Sequence, residues 1–418
     1  MIKAGHKCRL VLTYALIVVI FLFRPELTRA FSLNGGSQSL NGDATIDGDD
    51  PDPEPTPPDG GNDIVHDSGS DFWEWGDRLG DGTDTAVTDA GLDLGSSQLT
   101  RSDGSGASMA GKDPPGQGEA IKLNLDGGDM TGDSSVTHLY TNYDPGTSHN
   151  NNLIGGPVII INVDSVGIGL ISTKSTQRDG GWHPWVRAGY VQIGTATVPV
   201  DGPIRLMGID TCKNSSQHQP GAVYIYGGDD VIISDGEATP SYGNIDTSSY
   251  QPTTKSDLGK VRVYHNGAFA ASQILAWSRG YGANGGAGSS VVLKGNWTPA
   301  GSTTASGDCT VSGIKSYYQD DGYTDGNGRS ITISGYNNVE IGTIDCRHKP
   351  HPDGDNTDSF AGDLTIEAVE DITINGSINL SNTDNPANNG DLSLTGGNNI
   401  KLGSVFNCDN AAILILAM

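Results

Sequence analysis

The sequence predicts an all-β protein, a right-handed single-stranded parallel β-helix of about eight coils behind a disordered acidic N-terminal segment. Three observations carry this. One apolar template recurs from residue 158 onward at steps of about 30 residues. Gly makes up 60 of the 418 residues, roughly twice the usual share. No repeat has a helical apolar period, and charged residues are only 18%, against the Ala, Glu, Lys and Leu richness of helical bundles.

Residues 1–30 read as a signal peptide. Lys3, Lys7 and Arg9 form a positive start, Leu10 to Phe23 an apolar run, and Leu27-Thr28-Arg29-Ala30 a cleavage site. The run is shorter than the roughly 20 residues that a spanning helix needs, and Arg24, Pro25 and Glu26 end it. The expected location is secreted, extracellular or at the cell surface, with no membrane span after cleavage.

Residues 31–119 read as an acidic Pro/Gly-rich leader. Between 31 and 100 there are 16 Asp or Glu and one base, Arg78. Such a stretch buries too little apolar surface to offset its ordering entropy. Trp73 and Trp75 are exceptions, expected to dock on the first rung of the folded domain. The formal net charge of −26 and the lack of a basic stripe exclude a nucleic-acid partner.

Residues 120–418 form the predicted β-helix domain. The template is apolar, any, apolar, five residues, apolar, any, apolar. It fits Val158/Ile160/Val166/Ile168, Val223/Ile225/Val231/Ile233, Ile331/Ile333/Val339/Ile341, Leu364/Ile366/Ile372/Ile374 and Leu392/Leu394/Ile400/Leu402. Partial copies begin at Val191, Val261 and Val291, where only a first strand is clear, and Ile121-Lys122-Leu123 opens a weaker early rung. Steps between starts run from 28 to 40 residues. A solenoid tolerates that spread because each coil touches only its neighbours. Propeller blades, with four strands in 40–45 residues, do not fit. Eight coils would make a rod about 40 Å long.

Gly362-Asp363-Leu364-Thr365-Ile366 leads to Asp371-Ile372-Thr373-Ile374-Asn375-Gly376-Ser377-Ile378, and Gly390-Asp391-Leu392-Ser393-Leu394 leads to Asn399-Ile400-Lys401-Leu402-Gly403-Ser404-Val405. These phrases, mainly within 328–407, resemble coils of filamentous-haemagglutinin-type bacterial adhesins. The resemblance implies a surface or secreted bacterial β-helix, often adhesive. It brings no catalytic residue, and the two-partner secretion domain of that family is not found.

Candidate chemistry lies in turns and loops. Asp229-Asp230 has the look of an acid pair, but the same slot holds Asn337-Asn338, Glu370-Asp371 and Asn398-Asn399, which marks a turn position. Asn356-Thr357-Asp358 resembles the first polygalacturonase motif, without that family's other motifs downstream. Asp353, Asp355 and Asp358 are spaced as calcium ligands would be, though no Glu closes a twelve-residue loop. No cofactor is required; calcium is the candidate ion. Aromatic residues recur in loops: Trp182, Trp185, Trp277, Tyr281, Trp297, Tyr317, Tyr318 and Tyr323. Their faces would pack on sugar rings, so the favoured function is a structural or adhesive role with neutral glycans, on cells or as free polysaccharide, as ligand. Anionic glycans would be repelled. The alternative is a polysaccharide hydrolase or lyase drawing on Asp320, Asp321, His351, Asp355 and Asp358.

Cys212, Cys309, Cys346 and Cys408 are expected as buried free thiols, since Cys346 and Cys408 lie two coils, about 9.6 Å, apart. The apolar run Ala411 to Met418 reads as a last strand without a polar cap, so self-association through this coil, or a continuation of the chain, is expected.

Overall fold

The computed structural model describes residues 121–132, 138–141, 157–174, 188–212, 220–234, 243–250, 259–280, 289–320, 328–349, 360–382, 385–403, 405–408 and 412–417, with short strands between 31 and 100. Nearly all are β, and the strands run parallel in one large sheet that winds as a β-helix. A single 3-10 turn, Pro386–Asn388, interrupts the pattern among these residues.

Three columns of strands form the walls. The first runs in register through Ile121, Val158, Val191, Val223, Val261, Val291, Ile331, Leu364, Leu392 and Ile413. All eight starts expected from the sequence stand in it, together with the early rung at Ile121 and the strand at Ile413 that the sequence also offered. The second passes through Val166, Ile204, Val231, Phe269, Cys309, Val339, Ile372 and Ile400. The third follows Leu139, Ile171, Ile209, Ile245, Ile274, Ile314, Ile344, Ile378 and Phe406. A short fourth column joins Ser249, Ser278, Tyr318 and His348.

Period-two alternation explains the walls. In Val223–Tyr226 and Val261–Tyr264 alternate residues are buried, so Val and Ile point inward and stack on their equivalents. Stacking gives a continuous core from Ile121 to Leu394 in which most aliphatic side chains have no exposed area. The partial copies are intact coils with insertions. From first to second strand the usual step is 8 residues, but it is 13 after Val191 and 18 after Val291. The copy at Val261 keeps the usual step, with Phe269 and Ala271 inward.

The turn slot before the second strand is a ladder. Asp308 Oδ1 accepts from Asn338 N (3.1 Å) and Nδ2 (3.0 Å); Asn338 Oδ1 accepts from Asp371 N (3.2 Å). Asp371 Oδ1 then accepts from Asn399 N (3.0 Å) and Nδ2 (3.1 Å). Asp230 does the same for Ala268 N at 2.7 Å. Each side chain thus satisfies a backbone donor of the next coil, and alternation of Asp with Asn keeps carboxylates two coils apart. A second corner repeats an Asx turn after the third strand: Asp210, Asp246, Asp345 and Asn379 each accept from the N–H two residues on, at 2.9–3.3 Å.

All four cysteines are buried and none is paired in a disulfide. Cys309 replaces an aliphatic residue in the second column, and burial raises its thiol pKa. At the N-terminal side, Phe72–Glu74 pairs through Trp73 with Ala86, and Ala86–Val87 pairs with the first rung at Leu123. Gly91–Asp93 and Ser97–Thr100 extend the parallel stack. Residues 1–30 and the remainder of the expected leader lie outside the described residues. Among the described residues no helix is long and apolar enough to cross a membrane.

The ladder makes a prediction. Asn338→Asp would place three carboxylates on consecutive coils and delete the Nδ2 donor, at a cost of about 1–3 kcal/mol. The melting temperature should fall at pH 7, and the gap to wild type should narrow in high salt, which screens the repulsion. An equal gap at low and high salt would rule out the charge argument.

Candidate functional site

The two insertions leave the wall at the same corner, between the first and second strands. The 194–203 loop comes from the coil of Val191 and the 295–308 loop from the coil of Val291, three coil steps or about 14 Å apart along the axis. Between them the first strands of two coils end in Tyr226 and Tyr264, outward-pointing and in register. Their rings stack at 5.4 Å with planes 13° apart.

From the longer loop a hairpin, Trp297–Thr298 against Gly301–Ser302, folds back over them. Trp297 lies 5.5 Å from Tyr226 and 5.8 Å from Tyr264, tilted by 53–55°. All three rings are half-buried. On the other side a tight turn, Thr195 N to Val198 O at 2.8 Å, presents Val198 at 48% exposure. Burial, then the neighbouring Tyr264, raises the pKa of the Tyr226 phenol, and Tyr224 adds to the effect. The phenol of Tyr190 is raised by burial and by Tyr224. These phenols therefore stay neutral donors and acceptors at physiological pH.

A buried pair braces this corner from beneath. His265, next to Tyr264, has no exposed area, and its Nε2 lies 2.9 Å from Tyr336 Oη. The pair spans two coils, which works because the residue between them is Gly295. A Cβ there would run into the Tyr336 ring. His265 O accepts from Trp297 N at 2.8 Å, so the same residue holds the hairpin. Burial lowers the His265 pKa to about 4, against partial support from the Asp229 carbonyl and the Asp230 carboxylate.

The predicted aromatic residues divide. Trp297 joins this corner, a first-to-second-strand insertion. Trp277 and Tyr317 lie past the third strand, stacked on each other at 5.7 Å and 10°. Arg347 covers the Tyr317 ring at 5.7 Å and pairs with Asp345 at 3.2 Å. Tyr318 departs from the expectation of a surface platform. It opens the strand Tyr318–Asp320, points inward, is fully buried and stacks on His348 at 5.9 Å. Trp182, Trp185, Tyr281 and Tyr323 lie outside the described residues, as do Asp321, His351, Asp353, Asp355 and Asp358. Asp320 ends the strand Tyr318–Asp320, and the structure describes only its backbone.

Sequence reasoning missed Tyr226, Tyr264 and Tyr190. The signal was present: Val-Tyr-Ile-Tyr and Val-Arg-Val-Tyr put Tyr at the same outward template position in adjacent coils.

One acidic group gathers elsewhere. Asp210, Cys212 and Asp246 offer atoms within 4.8 Å of one another. Lys174 Nζ already sits 3.3 Å from Asp210 Oδ2, and each Asp accepts a backbone N–H of its own turn. Burial lowers the Lys174 pKa, but the neighbouring Asp210 and Asp246 carboxylates oppose it and the net shift is upward. Burial raises the Asp246 and Cys212 pKa values, so the thiol is not a ready thiolate ligand. The set reads as a turn with its own counter-charge.

No family model, curated relative or solved structure matches the chain. Function is therefore read from the geometry of the parallel β-helix and its aromatic corner.

Gly295 tests the bracing. Gly295→Ala should displace the Tyr336 ring and break its bond to His265, costing about 1–3 kcal/mol. A melting temperature within a degree of wild type would show that the corner does not depend on this fit.

Proposed function

We propose that this protein is a secreted or cell-surface β-helix of structural and adhesive role, akin to the filamentous-haemagglutinin type, that holds neutral glycans at its aromatic corner. The observation that carries the reading is the cluster of Tyr226, Tyr264 and Trp297 between two inserted loops. Its half-buried rings offer apolar faces and edges to the C–H surface of a sugar, and its phenol hydroxyls suit hydroxyl partners. The net charge of −26 disfavours anionic polysaccharides.

A panel of neutral oligosaccharides, assayed for binding and for release of reducing ends or unsaturated products, tests this. Binding without turnover is expected, weakened about ten-fold in Tyr264→Ala and in Trp297→Ala. Turnover would favour the hydrolase or lyase reading, and the absence of any binding would remove the glycan from the proposal.

The rung Ile413–Ala417 supports a second contact, with another copy of this chain or with a further stretch of its own. Ile413 and Ile415 continue the inward column under Leu392 and Leu394, yet are 51% and 43% exposed. Leu414 and Leu416 replace the outward Ser393 and Thr395 and are 50% and 45% exposed. This uncharged strand offers an edge at which two highly acidic molecules meet without facing charges. Sedimentation should show concentration-dependent association, reduced by the double change Leu414→Lys, Leu416→Lys. A concentration-independent wild-type monomer would exclude the contact between copies.

A further inference from the structure

We propose that His265 is a proton-operated latch for the aromatic corner: when its ring takes up a proton, the 295–303 hairpin, and Trp297 with it, is released from Tyr226 and Tyr264. The binding consequence rests on the glycan reading above, but the latch itself does not.

The geometry makes His265 the point where three coils are tied. Its backbone N–H donates to Lys294 O at 3.0 Å, and its carbonyl accepts from Trp297 N at 2.8 Å. These bonds fix both the start of the insertion and the aromatic residue in the first strand of its hairpin. Its ring stands inside the wall, 6.1 Å from the Phe269 ring and 5.6 Å from the Tyr336 ring. Nδ1 lies 3.3 Å from Gly267 N and 3.2 Å from the Asp229 carbonyl, and Nε2 lies 2.9 Å from Tyr336 Oη; with the hydrogen on Nε2, Gly267 N donates to Nδ1 and Nε2 donates to the phenol. In this state the imidazole is neutral and both nitrogens have partners.

Protonation unbalances that arrangement. Nδ1–H would face Gly267 N–H, donor against donor, and would turn to the Asp229 carbonyl at 3.2 Å. The groups facing the ring give the charge incomplete compensation. The Asp230 carboxylate is the nearest acid, but its Oδ1 is held by Ala268 N. The Tyr336 phenol is neutral, and burial raises its pKa; beyond it lies the Cys309 thiol, also raised by burial. Because the ring has no exposed area, a proton reaches it when the corner opens, so opening and protonation are coupled.

The sign follows from the lowered pKa. Above about pH 6.5, the ordinary histidine value, the ring is neutral whether the corner is open or closed, and the closed corner has its full stability. As pH falls from about 6.5 towards 4, the open form takes up the proton and the closed form does not. Closure therefore weakens through this window, by up to the order of a hundred-fold. The latch is shut at neutral pH and opens in acid.

Two measurements on the full chain test this without any carbohydrate. Amide hydrogen exchange, corrected for intrinsic pH dependence, should show residues 295–303 losing protection ten-fold or more between pH 7 and pH 4.5. The first-strand amides of Ile331 to Ser334 should keep theirs, and the change should reverse on neutralisation. His265→Gln, whose amide donates to Tyr336 without titrating, should hold protection constant over that range. If this variant does not fold, the NMR titration of the His265 ring in the wild type decides. A midpoint well below 6.5 that coincides with the loss of protection supports the latch; a midpoint near 6.5, or protection unchanged down to pH 4.5, overturns it. A latch that opens in a protein that binds no glycan would leave this inference standing and remove only the glycan proposal.

Discussion

Everything in this fold answers to one constraint: each coil must lie in register on the next, at the spacing of paired strands. Backbone donors and acceptors are satisfied between coils, so a residue's environment is set first by its equivalents before and after it in the column. Inward columns become aliphatic ladders from Ile121 to Leu394. Turn columns become polar ladders in which Asp and Asn serve the following coil. Extra chain can leave only at corners, and that is where the 194–203 and 295–308 loops emerge.

The same constraint builds the aromatic corner. Two tyrosines become a stack because register places them one coil apart, and the insertion of a neighbouring coil is then long enough to lay Trp297 across both. The brace beneath it is a planned gap in a ladder. Gly295 removes one side chain from the column, and His265 and Tyr336 meet across the space. A polar pair in an apolar wall would be costly if unmatched, but here Nε2 and the phenol find each other while Nδ1 has backbone partners.

The first-strand column is legible in the sequence because β-branched and Leu residues repeat at two fixed spacings, and all eight starts stand in register. The second strands after Val191 and Val291 are hidden, since insertions break the five-residue interval on which the template depends. That of the Val261 coil is obscured because Phe269 and Ala271 differ so much in size. The turn slot is legible from its recurring Asn and Asp, though the sense of the ladder, each side chain serving the next coil's backbone, is not. Loop position singles out Trp277, Tyr317 and Tyr318, while Tyr226 and Tyr264 lie at positions the template leaves free. Only the fold separates Tyr317 from Tyr318: Tyr318 opens the strand Tyr318–Asp320 with its ring inward, while Tyr317 precedes that strand and stacks on Trp277.

The alternating ladder also limits how such a protein can lengthen. Asp308, Asn338, Asp371 and Asn399 repeat with a period of two coils, although the apolar template repeats with a period of one. Copying the single coil that carries Asp371 would set carboxylate upon carboxylate, whereas copying it together with its Asn-bearing neighbour preserves every bond. At this corner the smallest repeat that keeps every Asp–Asn bond is thus a pair of coils, whereas the corners of Asp210 with Asp246 and of Asp363 with Asp391 carry carboxylates on consecutive coils and can repeat one coil at a time.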